Sequence, residues 1–170
     1  MVTAARGPAE GRAQSVGRLY CARRYAGAGC QLALLADIRI SSEAAKFGMP
    51  EIRDGIPAIF GLGLLWNLVG MSRSVYLVLS GVYMDARQAL EAGLTVKVVP
   101  RGGLRAGAEA LATRLAGYAP LAMRANKEWA RRLTEEHFRA TGRFCVTAQR
   151  DSFAAGGARR GMEAFLDKRR

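Results

Sequence analysis

The sequence is poor in the residues that bind metals, build disulfide frameworks or cross membranes. Its 170 residues include one histidine, His137, and three cysteines, Cys21, Cys30 and Cys145, scattered along the chain. Zinc sites need Cys and His clustered at short spacings, and disulfide scaffolds need a dense, even set of cysteines, so neither is expected. Scattered thiols suit a reducing compartment, which makes the cytoplasm the expected location. No apolar run approaches the roughly 18 residues of a membrane span. The first residues also lack the apolar centre of a secretory signal. Acid is scarce as well: 14 Asp and Glu stand against 26 Lys and Arg, for a net charge of +12. Such an excess is compatible with a polyanion partner. The chain carries no RNP-like aromatic motif, zinc finger or clear helix-turn-helix, however, so neither nucleic acid nor a membrane is an expected partner.

What is present is enough for one domain with a sizeable core. Residues 1–24 hold five arginines against one acid, Glu10, show no helical or strand periodicity, and are expected to form an unstructured tail. An arginine-rich, acid-poor start also matches a transit peptide in composition, without the amphipathic pattern of one. From Tyr25 the pattern becomes orderly. Gly27-Ala28-Gly29 is a small turn that runs into an apolar helical segment, Gln31 to Leu35. Ala36 to Ile40 alternates with period two and predicts a strand. Ser41-Ser42-Glu43 reads as a turn, Lys46-Phe47-Gly48 as a short extended piece, and Glu51 to Asp54 as one helical turn stopped at Gly55. A buried helix is expected over Ile59 to Val69 and another helix over Ser72 to Leu79. Asp85 can cap a helix that Gly93 ends. Leu94 to Val99 predicts a strand ended by Pro100.

After Pro100 the signal is helical throughout. Helices are expected over Leu104 to Tyr118, from Leu121 to Leu133, and over Glu135 to Phe153 with Phe138, Phe144 and Val146 as core candidates. A short helix from Gly161 to Arg169 closes the chain. The sequence thus divides into a tail (1–24), strand–helix units (25–100) and a helical region (101–170).

The stretch GAGCQLALLADIRISSEAAKFGMPEI resembles the signature of the crotonase (enoyl-CoA hydratase/isomerase) superfamily. There, a glycine-rich turn opens a helix and F-G-x-P-E follows about one motif length later. The likeness continues through LVGMSRSVYLVLSGVYMDARQALEAGLTVKVVP and reaches the end as FAAGGARRGMEAFLDKRR, so it covers residues 25–170. GIPAIFGLGLL resembles a shorter variant of a family loop. The resemblance implies an α/β fold in which β–β–α units coil into a spiral, here incomplete, followed by C-terminal helices that build trimers or dimers of trimers. It implies acyl-CoA thioester substrates and no separate cofactor, coenzyme A being part of the substrate.

It also implies site residues. Two backbone N–H groups of the family form an oxyanion hole for the thioester enolate, and by motif position the glycine turn supplies one of them, at Ala28 beside Gly29. Hydratase members use two glutamates. The second falls on Glu51 and the first on Gln31, a side chain that hydrogen-bonds water but takes up no proton at neutral pH. One carboxylate suits proton shuttling between two carbons, the isomerase chemistry, and also a weakened hydration. Phe165 and Lys168 fall where the family contacts the CoA adenine and 3′-phosphate. Read on residue type alone, Glu51 sits in a first helical turn where the dipole favours a carboxylate, Gln31 lies on a helix surface, Cys30 is a small buried residue, and His137 is structural. Asp37 reads as a turn or surface residue, and Asp54 is an outside candidate for the site. Family members carry further strands before the glycine turn, whereas only 24 residues precede Tyr25 and Arg18 to Arg24 stand where a strand would be. The expectation is therefore a truncated chain with half an oxyanion hole and unpaired sheet edges.

Overall fold

A computed structural model describes residues 18–21 and 24–167. The chain opens with two strands, β1 (Arg18–Cys21) and β2 (Arg24–Ala26), then helix α1 (Ala28–Leu34). Strands β3 (Ile38–Ser42) and β4 (Lys46–Gly48) follow, then a 3-10 turn over Pro50–Asp54 and helices α2 (Ile59–Val69) and α3 (Met71–Ser80). Strand β5 (Tyr83–Asp85), helix α4 (Ala86–Glu91) and strand β6 (Lys97–Val99) complete the strand-bearing part. Helices α5 (Leu104–Ala116), α6 (Pro120–Ala154) and α7 (Gly157–Asp167) make up the rest.

The first four strands alternate between two sheets, after which β5 joins β4 antiparallel and β6 joins β3 parallel. One sheet has the order β1-β3-β6 and the other β2-β4-β5. β1 pairs parallel with β3, Arg18 opposite Ile38, and β2 pairs parallel with β4, Arg24 opposite Lys46. Parallel neighbours need a crossover, and here the crossover carries the next strand of the other sheet and a helix. The first β–β–α turn, from Arg18 to its partner Ile38, is followed by a longer one from Ile40 to its partner Lys97, which together make an incomplete spiral of the crotonase kind.

β1 is a correction to the expectation of an unstructured tail over residues 1–24: its backbone pairs with β3, while residues 1–17 of that tail lie outside the described residues. The strand thought to be missing before the glycine turn is β2, which ends directly at Gly27. β1 and β2 are edge strands among the described residues. β3 also starts later than its alternation suggests and runs through Ser41 and Ser42, which read as a turn. As the middle strand it is covered on both faces, so Arg39 to Ser42 are all buried and strict alternation is lost.

The main core gathers Phe47, Met49, Leu64, Leu65, Leu77, Met84 and Leu94 between α1, α2, α3 and the β2-β4-β5 sheet. A satellite cluster of Ile40, Val99, Leu104 and Ala108 seats α5 on the other sheet. The helix boundary expected between Leu133 and Glu135 does not exist: α6 runs unbroken for 35 residues. Thr134 and its neighbours have no helix breaker, and Glu128, Arg131, Glu135 and Arg139 form an i,i+3 and i,i+4 ladder across the join. Of the three core candidates on this helix only Phe138 packs against the core; Phe144 and Val146 are 61% and 72% exposed. His137 is structural, its Nε2 lying 2.9 Å from the Gly63 carbonyl on α2.

Candidate functional site

The geometry at the start of α1 follows from Gly27. Its φ of 53° and ψ of −127° belong to a region open to glycine and strained for any residue with a Cβ. The Gly27 N–H donates to the Gly48 carbonyl at the end of β4 (3.1 Å), and the Gly27 carbonyl accepts from Gln31 N–H (2.9 Å). One glycine therefore ties the helix start to the strand that leads into the Pro50–Asp54 turn. Ala28 and Gly29 occupy the first helical turn, whose N–H groups have no intrahelical acceptor. Ala28 is exposed, and a Cβ at Gly29 would meet no atom within 4 Å, so this end of the helix faces open space.

Glu51 lies directly against that turn. A Cβ at Gly27 would sit 3.2 Å from Glu51 Oε1 and 3.3 Å from its Cδ, so glycine is needed for room as well as for conformation. Gln31 Nε2 donates to Glu51 Oε1 at 3.1 Å. The pairing of β2 with β4, Ala26 opposite Gly48, sets the start of α1 beside the Pro50–Asp54 turn and so brings the two side chains together. The other oxygen, Oε2, is buried without a hydrogen-bond partner among the described residues. Burial pushes the Glu51 carboxyl above its ordinary range; its own backbone N–H and the Gln31 amide oppose this, and the nearby Asp54 charge adds to it. A carboxylate with one oxygen held and one oxygen free, in a site that favours its neutral form, is suited to picking up and returning a proton.

Four of the residues named from sequence thus converge: Ala28, Gly29, Gln31 and Glu51. Asp54 acts on the site through its charge. Gln31 turns its amide toward Glu51 and is not simply a helix-surface residue. Cys30 is buried at 1% exposure and burial pushes its thiol up to about 12, so it serves packing and not nucleophilic chemistry. Asp37 is well away from the site and pairs with Lys127 on α6 at 3.0 Å. Phe165 lies on α7, but Lys168 falls outside the described residues. Among the described residues no three His, Cys, Asp or Glu side chains cluster as metal ligands, and no helix is long and apolar enough to cross a membrane.

Sequence reasoning missed two residues that build the site. Gly48, at the end of β4, accepts from Gly27 and has Tyr83 so close that an added Cβ would lie 2.8 Å from its ring. Met49 is fully buried against Gly61 of α2 and anchors the turn that carries Glu51. The F-G-x-P-E phrase contained both positions, but nothing in the phrase says which neighbours they touch.

Residues 24–170 match the sequence profile described as enoyl-CoA hydratase/isomerase. Among curated proteins, the probable enoyl-CoA hydratase echA8 of Mycobacterium bovis is 35% identical over 144 residues, spanning 84% of this chain and 56% of the relative. The 2,3-dehydroadipyl-CoA hydratase of Escherichia coli is 38% identical over 148 residues, with 84% and 56% covered. A crystal structure of an enoyl-CoA hydratase/isomerase from Pseudoalteromonas atlantica superposes with a TM-score of 0.80 at 27% identity, covering 88% of this chain and 60% of that one. The chain therefore spans little more than half the length of the relatives it matches. A match of that extent, to a profile and to folded relatives alike, makes this chain a member of the enoyl-CoA hydratase/isomerase family, within the crotonase superfamily.

Proposed function

We propose that the protein acts on acyl-CoA thioesters by forming an enolate at the start of α1, with Glu51 as the acid–base. The observation that carries this reading is the Glu51 carboxylate packed on the Gly27 turn, Oε1 held by Gln31 and Oε2 buried and free. In a 3-enoyl thioester, the Glu51 carboxylate removes a proton from C2 and the electron pair moves onto the thioester oxygen. The Ala28 N–H, beside Gly29, donates to that oxygen; one such donor contributes about 3 kcal/mol to the transition state. Returning the proton at C4 gives the conjugated 2-enoyl thioester. The coenzyme A of the substrate is the only coenzyme involved. Water addition at C3 of a 2-enoyl thioester gives a different enolate, that of the 3-hydroxyacyl thioester, whose oxygen the same N–H would hold; it runs more slowly, because the Gln31 amide cannot exchange the second proton. Turnover of a 3-enoyl-CoA and a 2-enoyl-CoA tests the assignment: Glu51→Gln lowers both by about 10²–10⁴, and an unchanged rate would remove Glu51 from its role.

Phe165 and Lys168 are proposed to contact the CoA adenine and 3′-phosphate, a lysine being a good point charge for phosphate. The packing of α7 against the Pro50–Asp54 turn supports this by placing the helix of Phe165 beside the site. The long helix α6 exposes Trp129, Leu133, Phe144, Val146 and Phe153, which supports assembly as a homotrimer or a dimer of trimers through the helical region.

A second reading rests on Gln31 standing where a second carboxylate would serve. It is a catalytically impaired homologue that binds acyl-CoA or only oligomerises. Calorimetry with butyryl-CoA beside the turnover assay separates the two, binding without turnover favouring the second.

A further inference from the structure

The turn that carries Glu51 has no buried residue of its own. A side chain whose position must hold to within a fraction of an ångström for reaction is therefore placed by the turn's neighbours. On one side Met49 and Ala58 anchor the flanks in the core, and Gly81 at the end of α3 receives Ile52 and Arg53. On the other side lie the end of α6 and all of α7. Ser152 Oγ donates to the Gly55 carbonyl at 2.8 Å, and Gln149 Nε2 donates to the Pro57 carbonyl at 2.8 Å. Gly157 meets Gly55 backbone to backbone, with an added Cβ on Gly55 lying 3.0 Å from the Gly157 carbonyl. At Gly161 the approach is closer still: a Cβ there would overlap the Asp54 carbonyl and come within 2.6 Å of the Asp54 Cα. Ala158, between these two contacts, has no exposure at all.

We propose that α7, with the end of α6, is a clamp that sets the position of Glu51, and that Gly161 is its positioning residue. In a 3-10 turn the side chains at i and i+3 eclipse, so Asp54, under Gly161, stacks in line with Glu51. Any lift of α7 reaches Glu51 through one rigid turn. The flexible side chains around this seam can yield, but the Asp54 backbone cannot, because its turn is closed by Gly55 N–H to the Ile52 carbonyl (3.2 Å) and Ile56 N–H to the Glu51 carbonyl (3.0 Å). No residue other than glycine fits at 161 without moving the turn or lifting α7 from it.

The inference rests on the reading of Glu51 as the base, and its test has one readout that does not. The full chain is compared with Gly161→Ala, Ser152→Ala and, as a control on the exposed side of α7, Glu163→Gln. The first readout is amide hydrogen exchange at Gly55 and Ile56, the bonds that close the turn. The second is exchange of the C2 protons of butyryl-CoA in D2O, with its dissociation constant measured in parallel. Gly161→Ala is expected to speed both amides about tenfold while Gly70 N–H at the far end of α2 is unchanged, the mark of local loosening. It slows C2 exchange by on the order of 10²-fold, as a misplacement of about 1 Å does, with binding within about twofold. Ser152→Ala shifts both readouts the same way by a smaller factor and carries the test if Gly161→Ala does not fold. Glu163→Gln changes neither. In a Glu51→Gln background, Gly161→Ala has no further effect on C2 exchange. Wild-type exchange at Gly55 and Ile56 in both clamp variants overturns the clamp. Loosened amides with undiminished C2 exchange overturn Gly161 as a positioning residue. Full C2 exchange in Glu51→Gln alone overturns the reading of Glu51 instead, and leaves the clamp judged by the amides.

Discussion

The two oxygens of Glu51 live in different surroundings, and the proposed acid–base role follows from the difference. Oε1 is fixed by Gln31, whereas Oε2 is buried and without a partner among the described residues, so the ionised form is under-solvated. Because the folded-state pKa is raised above the unfolded one, stability is fuller in acid and is lost as pH rises through the folded value. Glu51→Gln is accordingly expected to melt higher than wild type at pH 7, with the gap closing as pH falls below the ordinary carboxylate range. A melting series across pH checks this, and a wild type that is the more stable at neutral pH contradicts it. Gly27 carries a separate cost. Gly27→Ala places a Cβ in a backbone region nearly reserved for glycine and against Oε1, and should lose about 1–3 kcal/mol in urea unfolding. Glu51 was legible in the sequence because the F-G-x-P-E phrase marks it. The bond from Gln31 was not, since nothing in either residue reveals that β2 pairs with β4.

At the level of elements, local chemistry and tertiary packing can be told apart. The α4 start is local: Asp85 Oδ1 accepts from Gln88 N–H at 2.8 Å while Gln88 Oε1 accepts from Asp85 N–H at 2.9 Å, a complete capping box. Asp85→Ala should cost about 1 kcal/mol in chemical denaturation and leave acyl-CoA binding unchanged. The α2–α6 contact is tertiary. A Cβ at Gly63 would come within 2.5 Å of the Thr141 methyl carbon, and the Gly63 carbonyl is also met by His137. Gly63→Val is expected to pry the two helices apart and cost several kcal/mol by overpacking, about 1–3 of them from the added methyls alone. Thermal denaturation measures it. Sequence periodicity found α2 and α4 within a residue or two, because one is continuously apolar and the other has its cap written in. It misplaced β3, whose double-sided burial erases alternation, and it missed β5, a three-residue strand with no pattern of its own.

Over the whole molecule, the two sheets and the helical region have different needs. The β1-β3-β6 and β2-β4-β5 sheets close a core around Phe47 and Met49, and the buried Arg39 ties α1 to the β6 approach through the carbonyls of Leu34, Ala36 and Leu94. The α6 helix, by contrast, has no fully buried residue and displays Trp129 and Leu133 at 62% and 68% exposure. Sedimentation should report an oligomer, and Trp129→Lys with Leu133→Lys should shift it toward the monomer without abolishing the fold. A wild type that sediments as a monomer removes the proposed assembly.

By itself the sequence determined the family and named the candidate site residues, because motif order and residue type survive without knowledge of contacts. It also determined the stops and caps, which are properties of a few neighbouring residues. Only the tertiary structure decided that Arg18–Cys21 is a strand, since an edge strand with no hydrophobic pattern exists only by pairing with β3. Only it decided that Phe144 and Val146 face outward and that Glu51 keeps one oxygen free. Burial and partnership are relations between distant residues, and no stretch of chain contains them.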